Sequence, residues 1–234
     1  MIYQNLILGA GSKSISDPEF DKCKYIIKDG ETLLQLALKS FDDEALKIVA
    51  LDMEDYEFFG NFELPKNVSL QCISRRTMGA LATAGMCLDK VINDVPILVS
   101  AIDGLCFNVA NVFVNHMLQT NSDGGMIVFK SNNKNYSYVR ETNGSPVELV
   151  EKKNVSNIAS TGIYYFRSKK LLIDSITWAI LNKIELNEKY YVSSAINKLI
   201  FENKKVTLFE VDENDYFRFS SKLEADNSIG RLNS

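Results

Sequence analysis

Four short apolar runs constrain the fold of this chain more than any other feature: Asn5 to Gly9 (NLILG), Ala45 to Leu51 (ALKIVAL), Val68 to Ile73, and Pro96 to Ile102 (PILVSAI). Three of them run almost without polar alternation, the pattern of strands buried on both faces, and Val68 to Ile73 reads as a further strand beside them. Helical patterns lie between them. Leu33, Leu34, Ala37, Leu38 and Phe41 fall on one helix face, and Thr32 with Gln35 forms a capping box at its start. Thr77 to Val91, rich in Gly and Ala, and Asn108 to Leu118 are also expected to be helical. Strands alternating with helices predict a parallel sheet covered on both faces. In such sheets ligands bind beyond the carboxyl ends of the strands. Gly9-Ala10-Gly11 closes the first run and Asp103 follows the last, so two distant features are expected to meet at one edge.

The second half reads differently. Gly125 to Lys130 and Tyr136 to Glu141 are expected as strands around an Asn-rich turn, and Val147 to Glu151 and Ser160 to Arg167 around another. Leu171 to Leu181 and Tyr190 to Phe201 are predicted helices, and Val206 to Val211 a late strand. No linker, repeat or low-complexity stretch divides the chain. We therefore expect a single α/β domain over 1–234 whose second half shapes a pocket over the first. The polar tail from Glu224 is expected to fray.

Composition narrows the function. The 46% hydrophobic residues supply a substantial core, and a net charge of -4 argues against nucleic-acid binding through a basic face. It does not argue against one bound nucleotide, which needs only a few placed cations. Cys23, Cys72, Cys87 and Cys106 show no CxxC or other metal-ligand spacing, and His116 is the one histidine, so a zinc site is not expected. The cysteines suit a reduced compartment. His116, within VFVNHML, is expected as a partly buried structural residue. No leader-like segment precedes the first strand and no apolar run reaches membrane-span length, so a cytoplasmic protein without membrane partners is expected.

The order of motifs resembles the sugar-phosphate nucleotidyltransferase family. These enzymes join a nucleoside monophosphate to a sugar phosphate or related phosphate and release pyrophosphate. The short bacterial members that make surface-polysaccharide precursors, phosphocholine cytidylyltransferases among them, are the most similar in pattern. The resemblance rests on the glycine turn at Gly9; on Cys23-Lys24-Tyr25-Ile26-Ile27 followed by Asp29-Gly30-Glu31-Thr32-Leu33-Leu34; and on Thr77 to Thr83 (TMGALAT). It extends through Ile97 to Asp103, Val150-Glu151-Lys152, Gly162 to Phe166 (GIYYF), and Glu188 to Val192 followed by Ala195 to Ile200.

The resemblance implies a three-layer, mostly parallel α/β sheet of nucleotidyltransferase or GT-A-like type, with antiparallel additions in the second half. Residues 1–120 would bind the nucleotide and 121–234 the acceptor. Leu8, Gly9, Ala10, Gly11 and Lys13 would cradle phosphates, since glycine lets backbone N–H groups approach closely. Arg76 would meet the triphosphate, and Gly79 and Ala80 the base and ribose. Lys24 would stabilise charge at the α-phosphate, and Asp103 would ligate Mg²⁺. Glu151, Lys152, Gly162, Tyr190 and Arg218 would line the acceptor side. The implied partners are a nucleoside triphosphate and a small phosphorylated acceptor, and a homodimer is compatible with the family.

Each residue has a plainer alternative. A GxG is weak evidence and serves any strand-to-loop turn. Lys24 lies between Lys22 and Lys28, a pattern that also suits a solvated cluster. Asp103 could cap a helix, Gly79 could serve packing, and Glu151 and Lys152 could be a charged strand end. Two departures from the family pattern stand out. Ser12, Lys13, Ser14 and Ile15 replace a second glycine pair and an arginine, and Lys13 lacks the arginine's fork. Arg218, in Tyr216 to Ser221, falls where many members carry a second metal carboxylate. Asp212 or Asp215 could substitute, Arg218 could bind phosphate directly, or the metal site could be incomplete. The last case describes a non-catalytic nucleotide or nucleotide-sugar binder. A glycosyltransferase of related fold is disfavoured, because Asp103-Gly104-Leu105 lacks the Asp-x-Asp pair.

Overall fold

The computed structural model describes residues 3–11, 20–28 and 30–232. The first half of the chain runs through β1 (Gln4–Leu8), the hairpin of β2 (Ile26–Lys28) and β3 (Glu31–Thr32), α1 (Leu33–Lys39), β4 (Leu46–Asp52), α2 (Met53–Phe59), β5 (Val68–Ile73), α3 (Ala80–Gly85) and β6 (Ile97–Ala101). A short β7 (Gly104–Cys106) precedes α4 (Ala110–Gln119), and then come β8 (Gly124–Lys130), β9 (Ser137–Thr142), β10 (Ser145–Glu151) and β11 (Ile158–Phe166). The chain ends with α5 (Lys169–Leu181), α6 (Val192–Phe201), β12 (Val206–Glu210), β13 (Tyr216–Arg218) and α7 (Lys222–Leu232).

β5, β4, β1 and β6 lie side by side in that order and are all parallel. β11 then joins antiparallel to β6, and it also pairs with β8 and β9. The β9–β10 hairpin and the parallel partner of β8, β12, complete the sheet. Successive strand residues point to opposite faces, and both faces are covered here. Ile7, Val49 and Leu98 pack with Leu33, Leu34, Phe113 and Val114 of α1 and α4. Leu6, Ile48 and Val99 pack on the other side with Leu81, Leu172 and Ile196 of α3, α5 and α6. Two-sided burial is why these strands read as unbroken apolar runs. The expected three-layer α/β class is the one observed.

Local signals explain the helix starts. The Thr32 side chain accepts from the Gln35 backbone N–H at 3.3 Å, and the Gln35 side chain accepts from the Thr32 N–H at 2.9 Å. The anticipated capping box is therefore formed. Asp52 ends β4 and caps α2, accepting from the Asp55 N–H at 3.0 Å.

Several expectations are corrected. The helix expected over Thr77 to Val91 is only Ala80–Gly85: Gly79 has φ +99°, outside helical geometry, and beyond Gly85 the backbone continues in turns such as Cys87 N–H to the Ala84 carbonyl. Up to Leu232 the tail does not fray. It forms α7, which buries Ala225 and Ser228 against β13 and ties Arg231 Nη2 to the Asn214 carbonyl at 2.6 Å. Helix α2 and the β7–β13 ribbon went unforeseen. None of the four cysteines is in a disulfide, and burial pushes Cys106 up to about 12, which keeps it protonated and inert. His116 is half-buried and packs edge-on against Phe209 at 5.5 Å. Among the described residues, no helix is long and apolar enough to cross a membrane.

Candidate functional site

Because β5, β4, β1 and β6 are parallel, their carboxyl ends share one edge. Leu8 pairs in register with Ala101 on one side and Ala50 on the other. Gly9, Asp52, Arg76 and Asp103 therefore all emerge at this edge.

The segment Asp21 to Tyr25 is laid across it. One Asp21 carboxylate oxygen accepts from the Cys23 and Lys24 N–H groups at 3.1 and 3.4 Å, an Asx-type turn that sends neighbouring side chains in different directions. Cys23 drops onto the end of β1, its thiol donating to the Gly9 carbonyl at 3.7 Å. A side chain at Gly9 would lie 2.9 Å from Leu51 and 3.2 Å from the Cys23 sulfur, so glycine lets this segment close down. Lys22 reaches towards β6, where its ammonium meets Asp103 Oδ2 at 2.6 Å. Lys24 reaches the other way, past β4 to α2. It meets Asp55 at 2.8 Å, Glu54 at 2.9 Å and Asp21 at 3.3 Å, and lies 5.3 Å above the Phe58 ring. Three consecutive residues thus pin the ends of three adjacent strands.

Electrostatics separate the two lysines. Asp103 raises the Lys22 ammonium above its usual value, against the opposing effect of burial. Burial by itself would raise the Asp103 carboxyl, but Lys22 and then Arg218 outweigh it and hold the carboxyl below the usual carboxylate range. Burial works to lower Lys24, and hydrogen bonds to Asp55 and Glu54 reverse the sign.

Arg218 arrives through the ribbon. It pairs in register with Gly104, and the Phe219 N–H donates to the Asp103 carbonyl at 2.9 Å. Its guanidinium stacks on Tyr136 at 4.5 Å, donates from Nε to Ser220 at 2.8 Å, and lies 3.4 Å from Glu224. Its Nη1 is buried with no hydrogen-bond partner among the described residues. Tyr136 continues the chain of contacts, since its carbonyl accepts from the Lys152 N–H at 3.0 Å. Glu151 accepts from Ser137 at 2.6 Å and Ser193 at 2.5 Å, and Lys152 places its ammonium 5.5 Å above Tyr191. Gly162 lies in the bulge of β11 with φ +88° and open space where a Cβ would stand.

The structure thus brings Gly9, Asp103 and Arg218 together, with Glu151 and Lys152 linked through Tyr136. Lys24 is turned away into a cage of carboxylates, and Lys22 stands on Asp103 instead. Leu8 is buried, Ala10 half-buried and Gly11 exposed, while Lys13 lies outside the described residues. Arg76 is exposed at the end of β5. Gly79 and Ala80 press against Tyr190, whose backbone would lie 2.6 Å from a Cβ at position 79 and whose carbonyl accepts from the Leu81 N–H at 3.0 Å. Lys22, Tyr136, Ser137 and Ser193 were not singled out from sequence. The signal for Lys22 was present in Asp21, a turn former placed just before a Lys-Cys-Lys triplet.

The donors at Asp103 do not fit the magnesium ion implied by the motif resemblance. A hard dication is held by oxygen ligands, whereas Asp103 is one carboxylate facing two cations, Lys22 and Arg218. Asp212 turns its carboxylate to the Asn214 N–H at 2.8 Å, and neither it nor Asp215 joins Asp103 in a close group. Among the described residues, the close donor group is Asp21, Cys23 and Asp55, and two of these already face Lys24.

The sequence matches no model of a known family and no curated protein. Solved structures do resemble it over nearly its whole length. A nucleoside-diphosphate-sugar pyrophosphorylase from Vibrio cholerae RC9 matches with TM-score 0.78 at 18% identity, covering 97% of this chain and 100% of that one. A UDP-glucose pyrophosphorylase complexed with UDP-glucose matches with TM-score 0.77 at 14% identity, covering 100% and 99%. The inositol-1-phosphate CTP transferase from T. maritima matches with TM-score 0.73 at 12% identity, covering 100% and 97%. Such identities speak for the backbone alone: this chain has the α/β fold found in nucleotidyltransferases and sugar-nucleotide pyrophosphorylases.

Proposed function

We propose that this chain is a nucleotidyltransferase that joins a nucleoside triphosphate to a small phosphorylated acceptor, such as a sugar phosphate, and releases pyrophosphate. The observation that carries this reading is the Lys22–Asp103 contact of 2.6 Å beside the Gly9–Gly11 turn, with Arg218 across the ribbon. The triphosphate lies along the glycine turn, where backbone N–H groups approach phosphate oxygens. An acceptor phosphate oxygen attacks the α-phosphorus in line. The new P–O bond forms as the bond to the bridging oxygen breaks, and pyrophosphate leaves with that electron pair. Lys22 and Arg218 offset the charge that accumulates at phosphorus, and Asp103 holds Lys22 in place. Glu151, fixed by Ser137 and Ser193, accepts hydrogen bonds from acceptor hydroxyls, and Lys152 attracts its phosphate. A cytoplasmic role in making precursors for surface polysaccharide fits this chemistry.

The test is pyrophosphate release from CTP, UTP, dTTP, GTP and ATP against a panel of sugar phosphates and phosphocholine. Release in one combination is expected. Arg218 at the place of a carboxylate favours a second reading, nucleotide or nucleotide-sugar binding without transfer. Calorimetric binding with no pyrophosphate in any combination would replace the first reading with the second.

A further inference from the structure

We propose that Lys22 and Arg218 replace the divalent cation at this edge, so that the chain binds the phosphates of a nucleoside triphosphate without magnesium. This rests on the nucleotide-binding part of the reading above and goes beyond it in naming the groups that neutralise the ligand.

Charge is the first support. A metal site gathers carboxylates so that their repulsion is relieved by the ion. Asp103 is instead already compensated by Lys22 at 2.6 Å, and Arg218 lies 3.4 Å from Glu224, so no carboxylate here is left for an ion to neutralise. A dication placed between Lys22 and Arg218 has two like charges nearest to it, whereas a phosphate there has two opposite ones.

Preorganisation is the second. The Arg218 backbone is clamped by Ser228, whose hydroxyl accepts from the Arg218 N–H at 3.1 Å and donates to its carbonyl at 2.7 Å. Its guanidinium is fixed on one side by Ser220 and Glu224 and on one face by Tyr136. A guanidinium held so rigidly loses little freedom when it grips a phosphate through its fork.

The third support points to the ligand itself. Nη1 of this fixed group is buried and lacks an acceptor among the described residues. A buried charged donor left unmatched is costly, and a phosphate oxygen would satisfy it. Lys22, Asp103 and Arg218 keep side-chain exposures of 19%, 20% and 18%, so a phosphate meets their outer atoms first and reaches Nη1 only as its cover shifts. In this arrangement Asp103 positions a lysine, the role a metal ligand would otherwise take.

The test is calorimetric titration of the full chain with CTP, UTP, dTTP, GTP and ATP, once in EDTA and once in excess Mg²⁺. The nucleotide that binds best is expected to keep its affinity within about threefold in EDTA. Arg218→Gln and Lys22→Met are each expected to weaken binding in EDTA by about tenfold or more, with Arg218→Lys losing nearly as much because it lacks the fork. Arg218→Asp is expected to abolish binding in EDTA and to restore part of it in Mg²⁺. Wild-type binding that collapses on adding EDTA overturns this proposal and leaves the nucleotidyltransferase reading intact. No binding of any nucleotide under either condition overturns both. The wild-type comparison stands even if a variant fails to fold, and far-ultraviolet circular dichroism identifies any that does.

Discussion

Lys22 and Lys24 are two positions apart on one turn, and the molecule uses them in opposite ways. Lys24 stands among three carboxylates at 2.8 to 3.3 Å, one of them on the fully buried Asp55. Its charge is overcompensated, which suits a clamp between the turn and α2 and repels a further anion. Lys22 stands on one carboxylate, with a second cation nearby. Its surroundings can accept an anion. The difference teaches that a lysine near a glycine turn is informative only through its counter-charges, which lie on elements distant in sequence.

The sharpest way to break this comparison is to remove each ammonium in turn. Lys22→Met is expected to lower pyrophosphate release by a factor on the order of 10² to 10³, as losing one transition-state donor does, and to shift the urea midpoint little. Equal losses of activity from Lys24→Met without loss of folded protein would erase the distinction between the two sites. Lys24→Met is instead expected to cost about 3 kcal/mol of stability in urea unfolding, because Asp55 is then left buried beside two other acids. A cost below about 0.5 kcal/mol would show that the cage is already hydrated.

The smallest expected effect is the pH dependence of the Lys22–Asp103 pair. The Asp103 carboxyl is depressed in the folded state, so its contribution is present above the ordinary carboxylate value and is lost as pH falls through the depressed one. Lys22 is raised, so its contribution is present below the ordinary lysine value and is lost as pH rises through the raised one. The stability difference between wild type and Asp103→Asn is therefore expected to be flat from about pH 5 to pH 9, at about 1 kcal/mol or less, and to shrink in acid. A difference that grows on acidification would mean that Asp103 is not ion-paired in the folded protein.

Much of this fold is legible in the residues. The three inner parallel strands β1, β4 and β6 carry two-sided apolar runs, because neighbours cover both of their faces, and Thr32 with Gln35 announces α1 by local hydrogen bonds alone. What escapes is written in long-range terms. β13 is only Tyr216–Arg218 and exists because Gly104–Cys106 offers it a partner far upstream. α7 looks polar because only one side of it is buried, on β13. The site divides in the same way. Asp103 at a strand end and Arg218 in an aspartate's place could be found by reading, since each is a position on a pattern. The choice of Lys22 over Lys24 at Asp103 could not, because it depends on the Asp21 turn and on acids from α2.

At Gly79 two segments far apart in sequence meet backbone to backbone. The main chain of Tyr190 occupies the room a side chain would need, with hydrogen bonds on both flanks from Tyr190 to Met78 and from Leu81 to Tyr190. The loop after the last outer parallel strand and the approach to α6 therefore travel as one piece. A displacement of the former is felt at the start of α6 through rigid backbone, and every residue but glycine at that crossing would pry the two apart.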